Sequence, residues 1–188
     1  FLSGNGLKKT GLVWPKNFSW IIFSLLLGLL LSTALYAIGQ WLYQDSWSNW
    51  FVYIGRSYSI SEGLASQDKL VYFFIYAITG ISLSPVGEEL FFRGIVHTGL
   101  ANSLSERKAS IIDGLAFAIT HLAHFGIIYT GTDWKILPLP ALIWVAFMFL
   151  TSMVFITCKN KTGSILGAVI SHAAFNLVMI YFIFYHIF

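Results

Sequence analysis

The sequence predicts an all-α fold: a polytopic membrane bundle of about five transmembrane helices, with an interfacial helix on one side. Three observations carry that expectation. Of 188 residues, 57% are hydrophobic and 18% aromatic, while only 10% are charged (11 Lys or Arg and 8 Asp or Glu). A soluble domain has about 25% charged residues. The charges are also unevenly spread, for residues 17–44, 70–87, 114–132, 136–158 and 162–188 contain none. A bilayer-spanning helix needs roughly 20 mostly apolar residues, and four of these runs are that long. Such a composition does not build a water-soluble globule, a disordered chain or a nucleic-acid-binding domain. No nucleic-acid partner is expected; the lipid bilayer is.

In chain order, the first helix is expected at about 18–40. The second becomes long enough only if it runs from 69 through Glu88, Glu89 and Arg93 to about residue 100. The others are placed at about 109–128, 137–157 and 163–187. The chain divides into an N-terminal part, 1–68, holding one helix and an aromatic outer loop, and a helix core, 69–188. Segment 41–68 carries Trp41, Tyr43, Trp47, Trp50, Phe51, Tyr53 and Tyr58. That density suits an interfacial belt or a helix lying on the outer leaflet. The sequence begins at Phe1 rather than Met and reads as a piece of a longer chain. A lone Cys158 rules out an intrachain disulfide and a cysteine-based zinc site.

Orientation follows from the cations. With the N-terminus in the cytoplasm, the inner segments carry Lys8, Lys9, Lys16, Arg107, Lys108, Lys159 and Lys161, and the outer ones only Arg56, Lys69 and Lys135. This accounts for the net charge of +3 without any anionic partner.

Ionisable groups at membrane depth cost about 2.5–3.5 kcal/mol each on insertion scales and usually face a working cavity. Glu89 and Arg93 are four residues apart, share a helical face and can pair, with His97 continuing the stripe. Glu88 is rotated about 100° away and stays uncommitted. Pro85 removes a backbone donor nearby and opens room for water. On the third helix Phe117, His121 and His124 are in phase, and on the fifth so are His172 and Asn176. Asp113 and His124 are weaker candidates, and His186 reads as interfacial. At ~1.5 Å per residue, Glu88 and His121 lie ~18 Å, and His172 ~14 Å, from the inner helix ends. Three helices thus bring one Glu and two His to nearly one level.

That set suits hydrolysis. A carboxylate in a poorly hydrated site can act as general base toward water, with His sharing the proton. Asn and His can donate hydrogen bonds to a tetrahedral oxyanion. Alternatively, Glu88, His121 and His172 could hold a divalent metal such as zinc that acidifies the water; the sequence leaves both routes open. Other intramembrane protease signatures are missing: no His-Glu-x-x-His, no Gly-x-Ser-Gly, no Gly-x-Gly-Asp.

The motifs Glu88-Glu89-x-x-x-Arg93, Phe117-x-x-x-His121 and His172-x-x-x-Asn176 stand in this order, each on an expected membrane helix. Together they resemble the CPBP family, also called the Abi or type II CAAX prenyl endopeptidase family, over about residues 80–180. The resemblance implies a multi-pass membrane protease of the cell membrane, acting on a membrane-associated or lipid-anchored peptide. Glu88 and His121 would activate the water, His172 and Asn176 would stabilise the oxyanion, and Glu89, Arg93 and Phe117 would support them. Members of the family are described both as metalloproteases and as metal-free glutamate proteases. The short chain looks like a bacterial member, and some bacterial members are linked to bacteriocin immunity. The competing readings are a non-proteolytic immunity or peptide-binding membrane protein and, ranked lower, a proton-coupled transporter. Substrate identity, oligomeric state and metal state are not legible in the sequence.

Overall fold

The computed structural model describes residues 3–58, 60 and 65–188. Part of the expected aromatic outer loop, residues 59 and 61–64, lies outside the described residues. Helix α1 (Gly4–Thr10) is short, and α2 (Ser19–Tyr43) is the first long helix. A short α3 (Trp50–Ser57) precedes α4 (Ser66–Glu89), which continues without a break through a π-helical segment, Leu90–Val96, into α5 (His97–Ala101). Then come α6 (Glu106–Thr120), a 3₁₀ turn (His121–Ala123), and a hairpin of β1 (Ile127–Tyr129) and β2 (Trp134–Ile136). The chain closes with α7 (Pro138–Thr162) and α8 (Ile165–Phe182), the latter extended by a π turn, Ile183–Ile187.

Helix α8 is the hub: α2, α4 and α7 all pack on it, and α6 packs on the far side of α7. The small residues Ser24, Gly28 and Ser32 form one buried stripe on α2. They let the α2 backbone approach α8 closely, the usual basis of helix association in lipid. A Cβ at Gly28 would overlap the Ser171 carbonyl. We therefore expect Gly28→Val to destabilise the bundle by about 3 kcal/mol, near the top of the overpacking range, read as a lowered unfolding midpoint in detergent. On the opposite face of α2, Ile22, Phe23, Leu25, Leu26 and Leu30 are exposed, as suits a face toward lipid.

Among the described residues, four helical stretches are long and apolar enough to cross a membrane: Ser19–Tyr43, Ser66–Ala101, Pro138–Thr162 and Ile165–Ile187. Together with the near absence of strand, they bear out the all-α polytopic bundle. The expected third span is shorter than the sequence indicated. Helix α6 has 15 residues, about 22 Å at ~1.5 Å per residue, against a hydrocarbon core of about 30 Å. It stops because Gly126 takes a φ of +118° and starts the hairpin, where the sequence showed only an uninterrupted apolar run. The freed carbonyls at its end are taken up: Phe117 O accepts from His121 Nδ1 (2.7 Å), and His121 O accepts from Trp144 Nε1 (3.0 Å).

The aromatic segment also departs from a surface belt. Trp41 is exposed, but Trp50, Phe51 and Val52 of α3 are buried. Trp50 packs against Trp144, Phe125 and Phe147 at centroid distances of 6.0, 6.2 and 5.8 Å. Helix α3 is a plug in one end of the bundle. At the other end the N-terminal strap is pinned by Ser164 Oγ donating to Val13 O, Ile165 N to Gly11 O (2.9 Å), and Lys16 N to Thr162 O (2.8 Å).

Candidate active site

A cavity of about 440 Å³ lies between α4, α7 and α8, reaching the end of α6 on one side and α3 at one end. Glu88, His121, His172 and Asn176 all line it. The level estimated from helix rise thus corresponds to a convergence of two helices, α4 and α8, and the end of α6. The cavity extends from these residues toward Tyr53, Tyr58 and Tyr76, at the end opposite the lysine-rich strap.

The polar groups fall into two layers. Facing the cavity, Glu88 Oε1 accepts from Ser84 Oγ at 2.5 Å, and Glu88 Oε2 lies 3.9 Å from His121 Nε2. Because His121 Nδ1 bonds a carbonyl, it carries the proton, and Nε2 of the neutral ring presents its lone pair to the cavity. Asn176 Nδ2 donates one hydrogen to Gly80 O (3.0 Å), which leaves its second hydrogen free. The Glu88 side chain keeps 28% of its surface accessible.

Behind this layer everything is buried. Glu89 Oε1 accepts from His172 Nδ1 at 2.9 Å, and Glu89 Oε2 pairs with Arg93 Nε at 3.0 Å. Arg93 Nη2 donates to Ser152 Oγ at 2.7 Å, and Asp113 Oδ2 lies 3.8 Å from Arg93 Nε. Glu89, Arg93 and Asp113 have no exposed surface. The guanidinium lies 4.3 Å from the Phe117 ring centre, and the His172 ring stacks on Phe155 at 4.8 Å. A buried ion pair offsets its desolvation only when every partner is well placed; here one guanidinium faces two carboxylates and a hydroxyl. Among the described residues only Nη2 is hydrogen-bonded, while Arg93 Nε and Nη1, Glu89 Oε2 and both Asp113 oxygens are held by charge proximity alone. Lys159 Nζ, also buried, donates to Arg93 O at 2.6 Å. It caps a carbonyl inside the π segment, a helix form found often at functional sites.

The pairing of Glu89 with Arg93, and the separation of Glu88 from it, are as the i,i+4 spacing predicts. His97 does not continue that stripe. The π segment shifts the register, and His97 Nε2 instead meets Ser110 Oγ (3.1 Å) and Glu106 Oε1 (3.4 Å). Asp113 is central to the buried layer rather than marginal. His124 is exposed, 5.2 Å from the His121 ring. His186 packs on Phe182 (5.2 Å) and Tyr181 (5.7 Å). Ser84, Ser152 and Lys159 were not singled out for the site. Of these only Ser84 left a signal, its four-residue spacing from Glu88.

At the far end of the cavity, Tyr58 stacks on Tyr76 at 4.3 Å. Burial, with the second phenol beside it, pushes the Tyr58 hydroxyl up to about 12, so it meets any occupant as a neutral group. The metal alternative can be tested on the donor set. Among the described residues, no three His, Cys, Asp or Glu side chains come together closely enough to hold a metal ion. Glu88 Oε1 and His172 Nδ1 are engaged by Ser84 and Glu89, so a metal would have to use Glu88 Oε2, His121 Nε2 and His172 Nε2. Those groups are not gathered around one point in this arrangement, and no step below passes through a metal.

A family model described as type II CAAX prenyl endopeptidase Rce1-like matches residues 68–178, more than half of the chain. The chain belongs to this family. The membership identifies a membrane endopeptidase family of the CAAX type, and the matched region contains every residue of both polar layers. No curated protein and no solved structure matches the chain.

Proposed function

We propose that the chain is an intramembrane endopeptidase that hydrolyses a peptide bond in a membrane-associated or lipid-anchored peptide, using water activated by Glu88 and His121. The observation that carries this reading is the pair of acceptors Glu88 Oε2 and His121 Nε2, 3.9 Å apart across a cavity. One water donating hydrogen bonds of about 2.8 Å to both would span that gap. Both of its protons would then point at bases and a lone pair at the scissile carbonyl.

Attack forms the C–O bond as one water proton passes to Glu88. The carbonyl oxygen becomes an oxyanion within reach of the free hydrogen of Asn176 and of His172 Nε2. Glu89, accepting from Nδ1, fixes the orientation of the His172 ring, which donates to the oxyanion when Nε2 also carries a proton. Collapse breaks the C–N bond, and the proton held by Glu88 goes to the leaving amine. The products are a free amine and a carboxylic acid, which ionises as its remaining proton passes to His121 Nε2 and on to water, and the carboxylate of Glu88 is restored.

The substrate reading rests on family membership and on access. Helix α4 packs on α8, with at most marginal contact to α6 or the turn after it. Glu88 on α4 and His124 beyond α6 both keep exposed surface on the cavity. A chain already in the bilayer reaches this side without crossing the bundle. The cation distribution supports an N-terminus in the cytoplasm, and the short chain supports a bacterial member of the family. In that orientation the cavity extends toward the outer face, whereas the sequence reading puts cleavage near the cytoplasmic half of the bilayer.

The test is reconstitution in liposomes with a quenched fluorogenic peptide bearing a prenylated C-terminal CAAX tail, beside the same peptide without the lipid. Cleavage of the prenylated form at a rate at least ~10-fold above the soluble form is expected. Equal cleavage of both would contradict the lipid-anchored reading, and cleavage of neither would contradict the protease.

A further inference from the structure

We propose that Ser84 is a positioning residue for the Glu88 carboxylate, an inference that rests on the hydrolytic reading above. A serine inside a helix usually turns its hydroxyl back to the carbonyl four residues earlier. Two neighbours on α4 do so: Thr79 donates to Ile75 O and Ser82 to Ile78 O. Ser84 does not. Its Oγ reaches forward and donates to Glu88 Oε1 at 2.5 Å.

The reason lies in the acceptor it gives up. The carbonyl four residues before Ser84 is that of Gly80. As a helix carbonyl it accepts from the Ser84 backbone N–H, and it also accepts from Asn176 Nδ2 at 3.0 Å. A carbonyl oxygen has two lone pairs, so both are occupied. The Ser84 hydroxyl turns instead to Glu88, the charged acceptor one turn ahead, in preference to the Ile81 carbonyl that Pro85 leaves without a helix donor. Helix α8 lies close to α4 here: a Cβ at Gly80 would press on the Cδ1 tip of Ile180 at 2.6 Å and meet Asn176 Cβ at an ordinary 4.0 Å.

The consequence is directional. With Oε1 held by Ser84, Oε2 is the oxygen turned to His121. The hydroxyl fixes which oxygen takes the proton and holds it at the distance a water can bridge. The chain of bonds from Asn176 through Gly80 O and Ser84 to Glu88 ties the group aimed at the oxyanion to the base. Because Ser84 commits its hydroxyl to Glu88 rather than to the substrate, its removal should slow turnover without altering substrate affinity.

The test measures kcat and KM with the prenylated fluorogenic peptide for Ser84→Ala and Ser84→Thr. Ser84→Ala is expected to lower kcat about 10- to 100-fold, the range for a lost hydrogen bond to a charged group. KM and the unfolding midpoint should stay unchanged, and Ser84→Thr should restore most of the rate. In a Glu88→Asp background, where the shortened carboxylate no longer reaches Ser84, Ser84→Ala should cost little more. A second measurement is independent of turnover: labelling of Glu88 by a hydrophobic carbodiimide, quantified by mass spectrometry. Its rate should rise in Ser84→Ala and not in Ser84→Thr. Wild-type kcat and unchanged labelling in Ser84→Ala would overturn the inference while leaving the protease intact. Full activity of Glu88→Gln would instead overturn the protease mechanism itself.

Discussion

Glu88→Gln is expected to abolish peptide cleavage to within about 10²- to 10⁴-fold of the wild-type rate, the contribution of a positioned general base, while the folded bundle survives. The carboxamide has the shape of the carboxylate, and its oxygen can still accept from Ser84. What it cannot do is take a proton from water. The Glu88 side chain is partly accessible and forms no ion pair with Arg93, so its neutralisation leaves no buried charge behind. A bundle whose unfolding midpoint is unchanged but whose turnover is lost would show a chemical role. Loss of both together would show a structural one. The same substitution separates the protease from the immunity or peptide-binding reading, which expects protection against a cognate peptide to persist in Glu88→Gln.

The largest effect on stability is expected at Arg93. Replacing it with Met strands two carboxylates, Glu89 and Asp113, neither with any exposed surface, and removes the partner of Ser152 Oγ. Breaking a buried pair from one side costs about 3–5 kcal/mol, enough to lower the yield and the unfolding midpoint in detergent together. Arg93→Lys should recover only part, because one ammonium cannot reproduce the separate directions of Nε and Nη2. The double variant Arg93→Met with Asp113→Asn should be more stable than Arg93→Met alone, since one stranded charge has gone. If Arg93→Met unfolds like the wild type, the buried layer does not hold the helices together. Cleavage should fall in parallel, because Glu89 orients His172 through Nδ1.

What the sequence shows of this site depends on how each contact is made. Glu88, Glu89, His172 and Asn176 are legible because each sits on a regular helix, where spacings of three and four fix the shared face, and Arg93, early in the π segment, still meets Glu89 one turn back. Scarcity of charge makes them stand out further. Asp113 is visible as an intramembrane acid, but its partner is twenty residues away on another helix, and no periodicity reports that. Ser152 and Lys159 reach Arg93 from α7, and one of them, Lys159, reads in sequence as an ordinary inner-end cation. His97 is misread because the π segment adds a register shift that its residues, Leu90–Val96, do not announce.

The fold divides the same way. Long apolar runs declare four spans, but the end of α6 is set by Gly126, and one glycine in an apolar run does not separate a hairpin from a longer helix. The α3 plug is ambiguous for a related reason. A dense aromatic segment is compatible with lipid contact and with a core, and only Trp144 and Phe125, far along the chain, decide for the core. The stripe Ser24-x-x-x-Gly28-x-x-x-Ser32 is a signal present in the sequence whose meaning is clear once α8 is seen against it.

The central claim is that a water held between Glu88 and His121 is added across a peptide bond. Its most direct test is cleavage of the prenylated CAAX peptide by the reconstituted wild-type chain in ¹⁸O-labelled water, with the products weighed by mass spectrometry. A single ¹⁸O atom in the newly formed carboxyl group is expected, with loss of that product in His121→Ala of unchanged unfolding midpoint. An intact peptide with the wild-type chain, or the same labelled product at full rate with His121→Ala, would contradict it.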